Sequence, residues 1–479
     1  MNKKNVILLL LSVFMCGAIF ANGQNESSES TGKSTVTIWH WDGAGIEKFY
    51  KPMAEKFEMA NPDIDVEFVA VAQDQYGQSL ALSITSGAGP DLFWYQPEND
   101  PRVLVDQNQV LPIDDYVDAD FLSQFDQRLL VEGAMKYDGK LYSLPYENRF
   151  LKLHGMMFYN KAVLAKAGYS EDDIPKTFSE LLEVATDISK KGNGEYYGIA
   201  MPGNPSADFH RILNGLLTTA APASGDIRYG TVGFDEKSGK FKLDSEGHKM
   251  VAQLLIDLSK NGALAPGWAS MKTTAARALF GQDQAAFYFG GTWIPRVVGG
   301  EYPSLDLGVA EAPVPDSGRK AYRYMSLYNG SVYMNANTKN AAASAKVFKW
   351  LHSKEFATAY FNEVGEFPGN QAAELTSATK LQKDFMQIAK DYVKTYPDPK
   401  VENPAVGLVA WPEVNPTRWD VFAGALIEED INAFDKLAKQ WNEKMQEALE
   451  RNIEKANSEG DNVTLDDYKF PSWDYMSDY

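Results

Sequence analysis

Cysteine is the first scarcity. The 479-residue sequence holds one, Cys16, so no internal disulfide can brace it and a hydrophobic core must do that work. Histidine is next: five residues, His40, His154, His210, His248 and His352, with no HExxH or other close metal-ligand pair. No GxSxG elbow and no phosphate-binding Walker loop appear. "GAGIEKF" lacks the third glycine of a dinucleotide fingerprint, so no cofactor or metal is expected. Positive charge is short as well, with 46 Lys and Arg against 65 Asp and Glu and a formal charge of −19. That balance argues against nucleic acid or anionic lipid as a partner. Long apolar runs are also missing; Val6 to Phe14 is too short for a membrane span of about 20 residues.

That short run reads instead as the apolar centre of a secretory signal peptide. Lys3 and Lys4 precede it, "AIFANGQ" follows, and cleavage after Gly23 places Ala21 two residues upstream. Residues 1–23 are therefore expected to be removed, and the protein to work outside the cytoplasm, in a periplasmic or other extracytoplasmic space. The alternative is a lipid anchor on Cys16, although bulky Met15 stands where a lipobox wants a small residue. Residues 24–33, "QNESSESTGK", carry no apolar side chain and predict a disordered leader. What remains exceeds the roughly 250–300 residues at which single cores stop growing, so at least two lobes are expected.

Order begins at "STVTIWHWDG". Alternation makes it a strand, with Trp39 and Trp41 on one face and His40 on the other. Ile46, Phe49, Tyr50, Met53 and Phe57 follow at helical spacing, with a start or kink near Pro52. Ile64, Val66 and Phe68 alternate as a strand. Tyr76, Leu80 and Ile84 mark a second helix, and "LFW" a third strand. Strand and helix in turn predict an α/β sheet with right-handed crossovers. Further on, Thr177 and Glu180 form a capping box before a helix, and Ala285–Phe289 is a buried strand before Gly290 and Gly291. Residues 340–360 predict one long helix, and 419–453 a mostly helical end.

Aromatics are abundant: 10 Trp, 24 Tyr and 25 Phe. Several sit where strands become loops: Trp41, Trp94 with Tyr95, Tyr146, Trp293, and Trp411 with Trp419. Open α/β sheets bind ligands beyond the carboxyl ends of their strands. An aromatic ring there can stack on a pyranose face while carboxylates, amides and arginines bond the hydroxyls. Trp41 is expected to stack, Asp42 to accept hydroxyl bonds, and Gly43 to let the turn approach the ligand. Trp39 and Trp350 read as core. Adjacent acids such as Asp114-Asp115 and Asp172-Asp173 read as solvated surface. Two alternatives stay open: an exported carbohydrate-active enzyme with two cleft carboxylates, or a binder of a non-sugar solute such as a polyamine.

Several blocks, in order, carry a resemblance. They are "EKFEMANPDIDVEFV", "SITSGAGPDLFWYQ", "YDGKLYSLPYE" with "MMFYNKAVLAKAG" and "IPKTFSELLEVA", then "GQDQAAFYFGGTW", "LGVAEAPVP" and "AAASAKVFKWLHSKEFATAYFNEVGEFPGN". Together the chain resembles the extracellular solute-binding proteins of bacterial ABC importers, in the carbohydrate-binding family 1 that includes maltose-binding proteins. The resemblance implies a two-lobed α/β fold, with parallel-rich sheets flanked by helices and a hinge of several crossing segments. First-lobe residues would be 34–147 and 322–385, and second-lobe residues 148–321 and 386–479. Crossings would fall near 146–152, 321–330 and 380–390.

The resemblance also implies a monomer that captures a sugar and delivers it to a membrane permease, without catalysis. Ligand contacts carried over by position are Trp41 and Asp42, Trp94 and Gln96, Trp293, and Trp419 with Trp411 and Glu413. Tyr146, Glu147 and Arg149 at the first crossing, and Arg323 and Asn329 at the second, are added. Where maltose-binding members carry small polar groups after the first strand, this chain has Trp41-Asp42, so sugar preference does not transfer. The final "TLDDYKFPSWDYMSDY" matches none of these family blocks and reads as an aromatic strap on the surface.

Overall fold

The computed structural model describes residues 32–72, 75–95, 100–203, 209–222, 232–325 and 332–479. The expected leader and signal peptide therefore lie outside the described residues, apart from 32–33, as do Gln96 and Asn329. Ten strands matter here: β1 (Ser34–His40), β2 (Ile64–Ala70), β3 (Leu92–Trp94), β4 (His154–Asn160), β5 (Tyr197–Ile199), β6 (Ala285–Gly291), β7 (Leu307–Ala310), β8 (Arg323–Met325), β9 (Val332–Met334) and β10 (Val393–Thr395). The first sheet has the order β9-β3-β1-β2 and the second β7-β4-β6-β5. In the first sheet β1, β2 and β3 run parallel, as the alternation predicts, while β9 returns antiparallel beside β3. The second sheet is mixed, because β4 runs against both β6 and β7.

The helices that position the site are α1 (Lys51–Ala60), α2 (Tyr76–Thr85), α3 (Phe178–Gly192), α4 (Phe209–Ala220), α5 (Glu246–Lys260), α6 (Ile294–Glu301), α7 (Ala341–Leu351), α8 (Lys354–Val364), α9 (Lys380–Tyr392), α10 (Arg418–Glu428) and α11 (Ile431–Glu459). Pro52 leaves a local mark. It has no N–H for the Lys48 carbonyl, and the turn before α1, Ile46–Tyr50, is π-helical. The spacing still holds, with Ile46, Phe49, Tyr50, Met53 and Phe57 all buried. The capping box forms at Thr177 and Glu180.

The single helix expected over 340–360 is in fact two. His352 closes α7, and the Ser353 hydroxyl accepts the Phe356 N–H at 3.2 Å, starting α8 on a new axis. Trp350 packs on Phe57 and Phe356 at 4.8 and 5.0 Å between ring centroids, as a core residue would.

Two passages between the lobes are visible. Asn148 N–H donates to the Phe367 carbonyl at 2.8 Å and Gly369 N–H to Tyr146 at 2.9 Å, so 146–148 and 367–369 lie side by side. Gly369 is required there, since a Cβ would sit 1.8 Å from the Pro145 carbonyl. The other passage leaves the parallel pair β8–β10. Helix α9 spans the boundary expected at 385, yet packs as a unit on the second lobe through Phe385, Ile388 and Ala389 against Phe158 and Tyr288. Residues 367–369 thus lie beside the first crossing, while Phe385 of α9 meets Phe158 of β4 at 6.1 Å.

Backbone contact seats α4 on β4. Gly155 has φ +68°, and a Cβ on Gly215 would lie 2.1 Å from the Gly155 carbonyl. Gly215→Ala is expected to cost about 1–3 kcal/mol by overpacking, read by urea denaturation. Gly299→Ala, with nothing within 4 Å of its Cβ, serves as the near-neutral control.

Three buried histidines give a pH dependence. Burial pushes His40, His248 and His352 down to about 4. An unfolded imidazole titrates near about 6.5, so between those values only the unfolded chain takes up these protons. Stability is full above about pH 6.5 and falls on acidification, by about 2 kcal/mol per residue at pH 5. The melting temperature should drop from pH 7 to 5, less steeply in His248→Asn; a flat profile contradicts this origin.

Candidate ligand-binding site

The turn after β1 is set by its own side chains. His40 points into the first-lobe core, and its Nδ1 accepts the Asp42 N–H at 2.8 Å. Trp41 folds back onto that imidazole, stacked at 4.6 Å and 20°, and also meets Tyr76 edge-on at 5.3 Å. Asp42 Oδ1 then accepts the Gly45 N–H at 2.9 Å. The glycine that this turn needs is Gly45 rather than Gly43. A Cβ on Gly45 would lie 2.6 Å from Asp42 Oδ2, whereas one on Gly43 meets only Ala70 at 3.5 Å.

Beneath this turn lies a buried aromatic layer. Trp94, at the end of β3, is 3% exposed and contacts His40, Tyr50 and Tyr146 at 4.6, 5.5 and 5.0 Å. Its indole N–H finds no hydrogen-bond partner among the described residues. Tyr146 is buried too, its hydroxyl 3.1 Å from that of Tyr50. These two rings support the site from below.

Next to Tyr146, the first crossing holds a compact charge cluster. Glu147 accepts bonds from Lys152 and, at 3.0 Å, from the Tyr360 hydroxyl. Burial alone would raise its carboxyl; Lys152, Tyr360 and His40 outweigh burial and hold it below the usual range. Glu366 goes the other way. Burial and the charge of Glu147 push it up, against Lys152 and Arg296, and Thr292 donates to it at 3.4 Å. Arg296, on the first turn of α6, lies 3.7 Å from Asp42 Oδ2. That ion pair joins the two lobes beside Trp41.

The second lobe contributes an aromatic and cationic wall. Trp293 follows β6, and Gly291 gives it room, since a Cβ there would lie 2.0 Å from the indole. His154 meets Trp293 edge-on at 4.9 Å, and the Arg211 guanidinium lies over it at 4.5 Å. His210, the neighbour of Arg211 at the start of α4, contacts Trp419 at 5.5 Å, and Arg418 covers that ring at 4.5 Å. Burial pushes the Arg418 guanidinium down to about 10, against the opposing charge of Glu413.

Other expected residues lie elsewhere. Trp411 packs on Phe234 and Phe241 in the second-lobe core, and Glu413 is exposed near Arg418. Arg323 is buried as an anchor: it pairs with Glu311 at 2.8 Å and donates to the carbonyls of His154 and Gly155. Arg149 is buried near Asp398 and Lys400, and Lys400 pairs with Asp100 of the first lobe at 2.9 Å. Sequence reading missed Lys152, His154, His210, Arg211, Arg296, Glu366 and Arg418. Arg418 and Arg296 stand one and three residues from a singled-out tryptophan, which was the available signal; the others carry none.

Among the described residues no cluster of His, Cys, Asp and Glu is arranged to hold a metal ion, and no helix is long and apolar enough to cross a membrane. The chain is similar to a putative binding protein of Brucella abortus, 27% identical over 349 residues, 72% of this chain and 78% of that one. It is also similar to the maltotriose-binding protein of Pyrococcus abyssi, 26% identical over 330 residues, 67% of this chain and 63% of that one. In fold it matches a solved chitin oligosaccharide binding protein with a TM-score of 0.63 at 18% identity, covering 87% of this chain and 99% of that one. Residues 42–358 match the model of the bacterial extracellular solute-binding proteins, and the chain belongs to that family.

Proposed function

We propose that the protein is the extracytoplasmic binding component of an ABC importer, and that it captures a sugar or oligosaccharide between its lobes. The observation that carries this is the facing pair of surfaces. Asp42, next to Trp41 on one lobe, pairs with Arg296 on the other at 3.7 Å, and Arg296 stands three residues after Trp293, which Arg211 covers. A ligand that touches both surfaces stabilises the closed form, which a permease then recognises. Relatives named for maltotriose and arabinooligosaccharides support the ligand class. Trp293 and Trp419 are the stacking surfaces of the second lobe, Trp41 that of the first, and Asp42 and Arg296 bond hydroxyls. Trp94 and Tyr146 act as the packed base under them.

Binding without catalysis fits the acids present. Glu147 is committed to Lys152 and Tyr360, and Asp42 to Gly45 and Arg296, so neither is poised to protonate a glycosidic oxygen, and Glu366, whose carboxyl burial raises, is buried against Thr292. A polyamine is disfavoured by the cations of the wall, Arg211, Arg296 and Arg418. The protein is expected to act as a monomer.

A melting-temperature screen against mono- and oligosaccharides and polyamines tests the reading. Ligand at 100 times its Kd adds about 2.7 kcal/mol. A shift with one sugar class supports the proposal, and a shift with polyamines alone overturns it. With the sugar identified, Trp41→Ala and Trp293→Ala should each weaken binding by about 30- to 1,000-fold by calorimetry. Trp94→Ala should instead lower stability by about 3–5 kcal/mol, as for a buried ring.

A further inference from the structure

The final residues of the chain are bound to the strands where the chain changes lobes. Trp473 is buried edge-on against Tyr324 of β8 at 4.8 Å and Tyr396, just past β10, at 5.6 Å. Tyr324 donates its hydroxyl to the Tyr475 carbonyl, and the Tyr475 hydroxyl donates to Asp235 at 2.6 Å. Asp478 then takes the outer edge of β10. Its Oδ1 accepts the Thr395 N–H at 2.8 Å and the Thr395 hydroxyl at 3.2 Å, and Lys394 lies 3.4 Å from its other oxygen. Tyr479 closes the strap by donating to Glu402 at 2.7 Å.

What these strands lead to gives the contacts their meaning. From β8 the chain goes on to β9 of the first sheet. From β10 it goes on to Lys400, which pairs with Asp100 of the first lobe. Gly133 of the first lobe meets the Lys400 backbone so closely that a Cβ would lie 1.9 Å from its carbonyl oxygen. The tail therefore grips both strands on the second-lobe side of the hinge, and it holds the segment that reaches across.

We infer that residues 470–479 form a hinge clamp, which narrows the range of lobe openings sampled without ligand and so sets affinity without touching the ligand. The clamp rests on the two-lobed closing mechanism but not on the identity of the ligand. Its test therefore needs no ligand. Spin labels are placed through Leu82→Cys on α2 and Ile427→Cys on α10, exposed by 72% and 61% on opposite lobes, in a Cys16→Ser background. Pulsed electron paramagnetic resonance then reads the interlobe distance. Deletion of 474–479 should at least double the width of the distance distribution, with circular dichroism unchanged. The same width and mean in a folded deletion variant overturns the clamp. If the deletion variant does not fold, Asp478→Ala with Thr395→Val decides, since it removes only edge bonds. A broadened distribution supports the clamp, and an unchanged one refutes it.

Discussion

One ammonium group organises the region between the lobes. Lys152 holds Glu147 ionised against burial and also draws on Glu366, whose carboxyl burial and the Glu147 charge still push up. Isolated charges in such surroundings cost several kcal/mol each, so the cluster is tolerable only while all three side chains keep their places. Those places are the paired crossing stretches 146–148 and 367–369 and the residues flanking them. The aromatic layer of Trp94, Tyr146 and Tyr50 is built on the same stretch, and Trp41 lies above it on His40. Loss of Lys152 would unsettle the hinge and the floor of the site together.

The fold was largely legible in the sequence where a local period decides it. The alternation in β1 and β2, the spacing of Ile46 to Phe57 and the Thr177 capping box all report short-range chemistry, and all appear as read. The helix over 340–360 was misjudged because its apolar spacing continues through a break that one serine hydroxyl creates. The lobe boundary near 385 was set by analogy, whereas the packing of Phe385 and Ile388 depends on residues far away in sequence.

The candidate site was legible in a similar, partial way. A tryptophan beside glycine at a strand end is a local pattern, and it picked out Trp41 and Trp293, which stack on His40 and meet His154 and Arg211 respectively. Trp94 ends a strand too, but its layer is completed by Tyr50 and Tyr146 from elsewhere, which no local pattern announces. The cations are the larger gap in that reading. Arg211 stands within a wholly buried helix that the close Gly155–Gly215 approach helps to seat, and its guanidinium lies over Trp293. Arg323 shows the converse, a conspicuous charge at a crossing that is used up in holding β4.

The strand order has a consequence for how such a chain is made. Strand β9 completes the first sheet beside β3, yet it follows every strand of the second sheet in sequence. A chain emerging from its N-terminus cannot finish the first lobe until more than 330 residues are free, and α7 and α8 come later still. Early segments must wait, open and uncrosslinked, for distant partners; contacts so far apart in sequence form slowly. The same delay that slows folding leaves the first sheet without its outer strand until more than two thirds of the chain has been made.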